Sequence, residues 1–376
     1  MNRLSVPVIV LLLIGAFLFL ATALSTPGES AAEFQERVSL QNVAETPPEP
    51  ELDPLQADLE RELQNLGDAF DGTVGIAVTQ ADDMATMAYN GEQPLPQQSV
   101  TKLWVAMTAL DLVDEGAFSL SERVVLRRQD LTVFHQPVRD IVRARGAFAT
   151  NYADLMRRAI TRSDNTANDR LLRRIGGPQA VDAFLRRNRI DGIQFGTDER
   201  SKQSEIAGLE WNPAYSMGRM FYEARDRVPE ERRRQAFEAY LADPMDGART
   251  ASIAEALARL ARGDLLSEQS TALLRKTLED TRSGPRRLKG GVQPGWTIGH
   301  KTGTGQFFDG TQSGYNDVGI LTAPDGADYG VAVMIGSTRS SYAARMAMMQ
   351  EVSRLVARYH EARIANQQVA EPAPTS

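Results

Sequence analysis

The stretch Ala159–Asn168 reads AITRSDNTAN, and its centre, Ser163-Asp164-Asn165, is one of three short motifs that together decide the fold. The motif follows the helical pattern of Leu155–Ile160. Ser, Asp and Asn are all common N-cap residues, so an isolated S-D-N indicates only the start of another helix. Its meaning comes from the two motifs that precede and follow it.

The upstream motif is Ser99-Val100-Thr101-Lys102, which opens a helical, apolar run that continues to Met107. Residues three apart lie on one helical face, so Ser99 Oγ and Lys102 Nζ can meet. Ser99 also benefits from the positive end of the helix dipole. One interpretation is that Lys102 activates Ser99 as a nucleophile. The other is a lysine that extends along an ordinary helix to solvent.

The downstream motif is Lys301-Thr302-Gly303, which continues the strand-like run Trp296–His300. By itself it indicates a strand end that leads into a turn. In the order S-x-x-K, S-D-N and K-T-G, however, the three motifs are the signature of class A β-lactamases and penicillin-binding proteins, and the chain resembles that family.

The resemblance to class A enzymes covers roughly residues 55–360. Besides AITRSDNTAN, it rests on IGGP at 175–178, GDLLS at 263–267, PGW at 294–296 and VGILTAPDG at 318–326. It implies an α/β (α+β) fold of the β-lactamase/transpeptidase type, with an antiparallel five-stranded sheet flanked by helices plus an all-helical lobe.

The hydrophobic pattern of the chain agrees with that fold. Strand-like runs lie at 74–78, 85–89, 296–300, 318–322 and 329–335, and helical patterns lie at 55–67, from 99 to about 263 and at 346–360. Strands from both ends of the chain are therefore expected to build one sheet, with a helical lobe between them.

The resemblance assigns catalytic roles by position. Ser99 resembles the acylated nucleophile, and Lys102 resembles the group that takes its proton. Ser163 resembles the residue that relays a proton to the leaving lactam nitrogen. Asn165 resembles the residue that holds Lys102 and the substrate side chain.

The strand of the K-T-G motif resembles the substrate-binding strand. Lys301 and Thr302 resemble the binders of the substrate carboxylate, and Gly303 and Thr304 continue that strand. The backbone N–H groups of Ser99 and Thr304 would form the oxyanion hole, where charge develops on the attacked carbonyl.

The resemblance assigns two further positions less specifically. Some class A enzymes place an arginine on the strand after K-T-G, where Asn316-Asp317 stands here, so Arg339 or Arg345 is the predicted substitute for binding the carboxylate. The alternative for each is a solvated arginine at a helix start. Phe134 resembles the aromatic residue at the pocket rim, and the alternative is an ordinary core or surface aromatic.

Hydrolysis by class A enzymes uses a glutamate in an E-x-x-L-N run of the omega loop, and this chain departs from that run. Glu199 falls at the matching position, but Lys202 replaces Leu and Gln203 replaces Asn. Three other glutamates remain as rivals for the base, namely Glu205, Glu210 and Glu238.

An enlarged omega loop is predicted over about residues 204–242, where the chain is longer than class A enzymes usually are. Helical patterns lie at 213–225 and 229–242. Because the segment contains neither Lys nor His, we expect it to limit bulky substrates rather than to supply chemistry.

The ends of the chain differ from its body. The apolar run Leu4–Leu24 follows Arg3, so residues 1–24 are either a cleaved signal peptide or a membrane anchor. Residues 25–54 form an acidic, Pro-rich linker, 55–363 the hydrolase domain, and 364–376 a disordered tail. The protein is then exported to the periplasm, either soluble or anchored to the inner membrane.

Composition excludes several other classes of function. The 376 residues include no Cys and three widely spaced His, which argues against disulfides, thiolate nucleophiles and zinc sites, so no metal or cofactor is expected. A net charge of −7 argues against a nucleic-acid partner.

The leading hypothesis is an exported serine hydrolase, monomeric in its catalytic domain, that opens β-lactam rings through an acyl-enzyme on Ser99. One alternative is a peptidoglycan DD-peptidase or transpeptidase that acts on stem peptides. The other is a β-lactam sensor that is acylated without turnover.

Overall fold

The central sheet takes its strands from both ends of the chain, as the sequence pattern predicts. The structure is a computed structural model that describes residues 52–370. Five antiparallel strands run in the order β2-β1-β10-β9-β7, and a two-residue strand, β8, also pairs with β9, so the sheet has six strands rather than five. The strands are β1 (Thr73–Gln80), β2 (Thr86–Tyr89), β7 (Thr297–Thr304), β8 (Phe307–Phe308), β9 (Thr311–Thr322) and β10 (Asp328–Thr338).

Strand β1 is buried on both faces, which explains its nearly continuous apolar sequence. Ile76 and Val78 face one apolar core, whereas Ala77 faces the other. Two terminal helices, α1 (Pro54–Asp68) and α12 (Tyr342–Ala370), cover the first of these faces. The Asp53 side chain caps α1 by accepting from two backbone N–H groups at its start, which fixes where the helix begins.

The second face of the sheet carries the helical lobe. Its central helix, α2 (Thr101–Asp114), is buried from Thr101 to Leu110 and is apolar on all sides, as expected for a helix inside a core. The other helices around it are α3 (Val138–Arg145), α4 (Tyr152–Thr161), α5 (Asn165–Arg174), α6 (Pro178–Arg187), α10 (Thr250–Arg262) and α11 (Glu268–Glu279).

The lobe is not wholly helical. Two short ribbons interrupt it, β4 (Arg123–Leu126) with β5 (Phe148–Asn151) and β3 (Pro94–Pro96) with β6 (Gly247–Arg249). Both ribbons join segments far apart in the sequence. A local pattern of three or four residues does not reveal such pairs, because their partners are set by tertiary packing.

The omega-loop segment contains three helices, α7 (Glu199–Ile206), α8 (Met220–Arg227) and α9 (Glu230–Ala242). The predicted helix at 229–242 is confirmed. The one predicted at 213–225 is wrong in part, because a short 3-10 turn at Pro213–Ser216 is separated from α8. Two small apolar clusters, around Phe221 and around Phe237, hold the segment together.

The predicted leader at 1–24 and the linker up to residue 51 lie outside the described residues. The predicted disordered tail is wrong for residues 364–370, which continue α12. Within residues 52–370, no helix is both long enough and apolar enough to cross a membrane.

Candidate active site

Ser99 lies where a 3-10 turn, Gln98–Val100, runs into the N-terminus of α2. The residue before it, Gln98, has φ of +55°, a left-handed conformation that is strained for a residue with a side chain. The buried carboxylate of Asp246 stabilises this turn by accepting from Gln98 N at 2.9 Å. Ser99 thereby faces a cavity of about 270 Å³.

Most of the predicted site residues line this cavity. They are Ser99, Ser163, Asn165, Glu199, Thr302 and Thr304. Lys102 and Lys301 are buried immediately behind them, and each donates a hydrogen bond to one of the two serines. The structure thus brings the S-x-x-K, S-D-N and K-T-G motifs into one site.

Lys102 is fully buried, and its ammonium joins two groups. Its Nζ donates to Ser99 Oγ at 2.7 Å and to Glu199 Oε1 at 2.7 Å. Burial lowers the pKa of Lys102, and the nearby Lys202 ammonium lowers it further, although Glu199 opposes this. A lysine with a lowered pKa loses its proton more readily, which suits it to accept the proton of Ser99.

Glu199 is the first residue of α7, and its side chain is turned inward. Its backbone N–H donates to Asp169 Oδ1 at 3.2 Å, and its Oε2 accepts from Gln203 Nε2 at 3.3 Å. Burial by itself raises the pKa of Glu199, but the Lys102 and Lys202 ammoniums outweigh burial and hold it well below its usual range. The Glu199 carboxyl is therefore ionised at neutral pH.

The rival glutamates are not part of the site. Glu205, Glu210 and Glu238 are all exposed, and none lines the cavity. Of the four candidates, only Glu199 contacts the lysine that contacts the serine.

The S-D-N motif is both a helix start and part of the site. Asp164 is the N-cap of α5, as an isolated motif would predict, while Ser163, with φ of +55°, lines the cavity. Lys301 Nζ donates to Ser163 Oγ at 3.1 Å. Burial, together with the neighbouring Lys102 and Arg287 cations, holds the pKa of Lys301 well below its usual range.

Asn165 differs from its predicted role in one respect. It lines the cavity, but its Nδ2 donates to the carbonyl of Val133 at 2.9 Å. Among the hydrogen bonds of the described residues, none joins Asn165 to Lys102. The predicted hold of Asn165 on Lys102 is therefore absent from this structure.

The glycine of K-T-G brings β7 against the turn that carries Ser99. A Cβ at Gly303 would collide with the carbonyl oxygen of Gln97, so only glycine permits this approach. Thr302 Oγ1 shares a 2.7 Å hydrogen bond with Ser283 Oγ in the loop before β7.

Neither of the predicted arginines, Arg339 or Arg345, lines the cavity. Two others do, Arg162 and Arg287, and of these two it is Arg287 that hydrogen-bonds to the strand of K-T-G. Its guanidinium donates to Thr304 Oγ1 at 2.6 Å and lies 3.7 Å from the ring centroid of Tyr315. Arg339 is exposed and Arg345 packs beside Tyr342, and neither lines the cavity. Arg287 comes before K-T-G rather than after it, so the search along the following strand missed it.

Phe134 lies in the cavity wall, at the position predicted for a rim aromatic. Its ring packs 4.8 Å from that of Phe221 and 5.8 Å from that of Tyr222, both on α8. The enlarged omega loop therefore supports the cavity rim.

The omega loop also reaches the nucleophile turn, which sequence reasoning missed. Tyr240 on α9 accepts from Gln98 Nε2 at 2.6 Å and donates to Asp246 Oδ1 at 2.9 Å. Tyr240 and Asp246 are both buried. The only signal in the sequence was an aromatic residue at an inward position of the predicted helix. Such a position predicts burial of the ring, but it does not reveal a polar partner for the hydroxyl.

Within residues 52–370, no cluster of His, Asp and Glu is arranged to hold a metal ion.

Comparisons with known proteins identify the same family. A family model described as the beta-lactamase enzyme family matches residues 58–360. The extended-spectrum beta-lactamase PER-1 of Pseudomonas aeruginosa is 29% identical, over 78% of this chain and 85% of that protein. Beta-lactamase VEB-1, also of Pseudomonas aeruginosa, is 23% identical over 79% of this chain and 89% of its own length.

Solved structures show the same fold. A beta-lactamase from Chitinophaga pinensis superposes with a TM-score of 0.65 at 23% identity, covering 81% of this chain and 99% of that one. An ancestral class A beta-lactamase superposes with a TM-score of 0.62 at 29% identity, covering 80% and 99% of the two chains.

Proposed function

Because this chain belongs to the beta-lactamase enzyme family, we propose that it is a serine β-lactamase, which opens β-lactam rings through an acyl-enzyme on Ser99. The observation that carries the proposal is the linked arrangement of Ser99, Lys102 and Glu199, with both hydrogen bonds at 2.7 Å. Ser99 and Glu199 also line the same cavity, which supports their roles as nucleophile and base.

Acylation begins when neutral Lys102 takes the proton of Ser99 Oγ, which then attacks the β-lactam carbonyl carbon. The bond between that carbon and the ring nitrogen breaks, and the nitrogen takes a proton from Ser163. Lys301, hydrogen-bonded to Ser163, is placed to return it. The backbone N–H groups of Ser99 and Thr304 donate hydrogen bonds to the carbonyl oxygen and so stabilise the negative charge that develops on it.

Substrate binding falls to β7 and the loop before it. Thr302 and Arg287 line the cavity, and Lys301 is buried behind them, so that hydroxyl and cationic donors are available to the carboxylate of a β-lactam. Gly303 permits the close approach of this strand to the nucleophile turn. Asn165 lies opposite and is available to the substrate side chain.

Deacylation requires a base, because an acyl-serine ester is long-lived in its absence. Glu199 takes a proton from a water molecule, the hydroxide attacks the ester carbonyl, and Ser99 Oγ leaves with the proton that Lys102 took from it during acylation. The proton on Glu199 then replaces the one that Lys301 supplied through Ser163 to the ring nitrogen. The peptidoglycan-peptidase and sensor alternatives are not favoured, because an ionised carboxylate lies beside the nucleophile's lysine.

We also propose the export and domain limits expected from the sequence. The apolar run Leu4–Leu24 supports a signal peptide or an anchor at 1–24, with the catalytic body at 55–363 acting as a monomer in the periplasm. Fractionation of cells that express the full chain, with N-terminal sequencing of the product, distinguishes cleavage from anchoring.

Turnover of a chromogenic cephalosporin, together with intact-mass analysis, tests the activity. We expect many turnovers per enzyme, and a mass adduct with a slowly hydrolysed β-lactam that is lost in Ser99→Ala. An adduct that persists undiminished in Ser99→Ala, or no adduct at all, would refute the proposal. A single stoichiometric burst would instead support the acylation-only alternatives.

A further inference from the structure

A second buried lysine stands beside the catalytic carboxylate. Lys202 is 1% exposed, and its Nζ lies 3.5 Å from Glu199 Oε1. The same oxygen accepts from Lys102 Nζ at 2.7 Å. One carboxylate oxygen therefore lies between two ammonium groups, of which only Lys102 contacts the nucleophile.

Lys202 is held in place from the side opposite Glu199. Its Nζ lies 3.1 Å from Asp246 Oδ2 and donates to the carbonyl of Gln98 at 3.2 Å. Lys202 follows Glu199 by three residues on α7, so both side chains leave the same face of the helix. Its ammonium cannot turn away from Glu199 without breaking these contacts.

Burial of an ammonium here is costly, and an apolar side chain would fill the same space without that cost. Asp246 alone does not explain the lysine, because Asp246 also accepts from Gln98 N and from Tyr240 Oη. What the lysine adds is a positive charge within 4 Å of the base.

We propose that Lys202 is a positioning residue that keeps Glu199 ionised, so that Lys102 is the lysine that gives up its proton. This inference rests on the proposed β-lactamase function and concerns the same site. Both lysines lie beside the same Glu199 oxygen, but their roles differ. Lys202 stays protonated and positively charged, whereas Lys102 loses its proton.

The charges around the pair are consistent with this division. Burial lowers the pKa of Lys202, but the carboxylates of Glu199 and Asp246 outweigh burial and raise it. The pKa of Lys102 is lowered by burial and by Lys202, against Glu199 and Asp169. The other titratable groups near the cluster include Lys301 on β7 and the Tyr240 hydroxyl on α9, and the uncharged Gln203 amide donates to Glu199.

The consequence is measurable in the acid limb of the pH–rate profile. A base with a depressed pKa remains ionised in acid, so hydrolysis persists to lower pH than it would without Lys202. Removing the charge of Lys202 should move the midpoint of the acid limb upward.

The test compares Lys202→Met with Tyr240→Phe in the full chain, using kcat for a chromogenic cephalosporin between about pH 4 and pH 8. Lys202→Met removes the charge and should raise the midpoint by about one pH unit or more, that is, about tenfold less activity well below it. Tyr240→Phe disturbs Asp246 in the same cluster but removes no charge, so its midpoint should stay in place even if its rate falls.

A second variant guards against misfolding caused by an unpaired Asp246. Lys202→Met combined with Asp246→Asn leaves no lone buried charge at this position, and should show the same upward shift. An unchanged midpoint in whichever of these two variants is folded, judged by circular dichroism, would overturn the inference alone. Failure of the wild-type enzyme to hydrolyse the cephalosporin would overturn the proposed function, and this inference with it.

Discussion

Single side chains around Ser99 are fixed by partners from distant parts of the chain. Lys102 reaches Glu199 across 97 residues, and Lys301 reaches Ser163 across 138. Each of these groups is buried or lines the cavity, so a change in one partner alters the charge felt by the others.

Glu199→Gln should separate the two halves of the reaction. The amide cannot take a proton from water, so hydrolysis of the acyl-enzyme should fall by about 100-fold or more, while Ser99 is still acylated. Intact-mass analysis should then show the adduct accumulating. Turnover equal to that of the wild type would mean that Glu199 is not the base.

Because of Asp169, the free energy of unfolding should fall as the pH rises toward neutrality. Burial, with Asp198 and Glu199 nearby, raises its pKa to about 7, above the value of about 4 in the unfolded chain. The folded protein therefore binds the extra proton, and this contribution to stability is lost as pH rises from about 4 through about 7.

Asp169→Asn removes that titration. The variant should gain stability relative to the wild type at about pH 8 and gain less, or lose, at about pH 5. Urea midpoints at the two pH values measure this, and an identical difference at both would contradict the prediction.

Among the elements, the omega-loop helices have two separate tasks. Helix α8 packs Phe221 and Tyr222 against Phe134 at the cavity rim. On α9, Tyr240 accepts a hydrogen bond from Gln98. The expectation that the segment limits bulky substrates remains a prediction for α8. For α9, the structure adds a contact that the sequence did not predict, a hydrogen bond between Tyr240 and Gln98, the residue before Ser99.

These tasks predict different kinetic effects. Tyr222→Ala loosens the rim, so KM should change for substrates with large side chains while kcat is retained. Tyr240→Phe removes a buried hydrogen bond at the nucleophile turn, so kcat should fall about 2- to 10-fold for all substrates. Steady-state kinetics with one small and one large substrate, on both variants, distinguish the two. A loss of kcat in Tyr222→Ala would assign the rim a catalytic effect.

The sequence predicted those elements whose pattern is local. Strands β1, β2, β7 and β10 and helices α1 and α12 carry their signal in their own residues. Strand β9 begins at Thr311 rather than at Val318, because its polar first half is ordered by pairing with β7, β8 and β10. Arg287 and the Asp246 partner of Lys202 were missed for the same reason, since both reach the site through folding and not through motif spacing.

At the scale of the whole molecule, the two chain ends complete one core. Leu63 of α1 is fully buried in the same cluster as Ile76 of β1, Val333 of β10 and Val352 of α12. This cluster lies on the face of the sheet that α1 and α12 cover, whereas the catalytic helix α2 packs in the other core. The core that the two terminal helices complete and the helix that follows Ser99 therefore lie on different faces of one sheet.

Leu63→Ala should weaken the entire fold without altering the site. A buried Leu→Ala change costs about 2–5 kcal/mol of unfolding free energy, while kcat and KM of the folded enzyme should be unchanged. Denaturation followed by circular dichroism and by residual activity should give coincident curves. An earlier loss of activity than of structure would show that the site unfolds separately.

Strand β1 pairs in the folded protein with a strand that is synthesised much later. It is synthesised long before its neighbour β10, with which it pairs from Thr73 with Ser337 to Gln80 with Tyr329. Until β10 is translated, one edge of β1 has no partner. Strand β7, which carries Lys301, is made only shortly before β10. A ribosome that stops before residue 328 therefore releases a chain with an open strand edge, the kind of surface on which polypeptides aggregate.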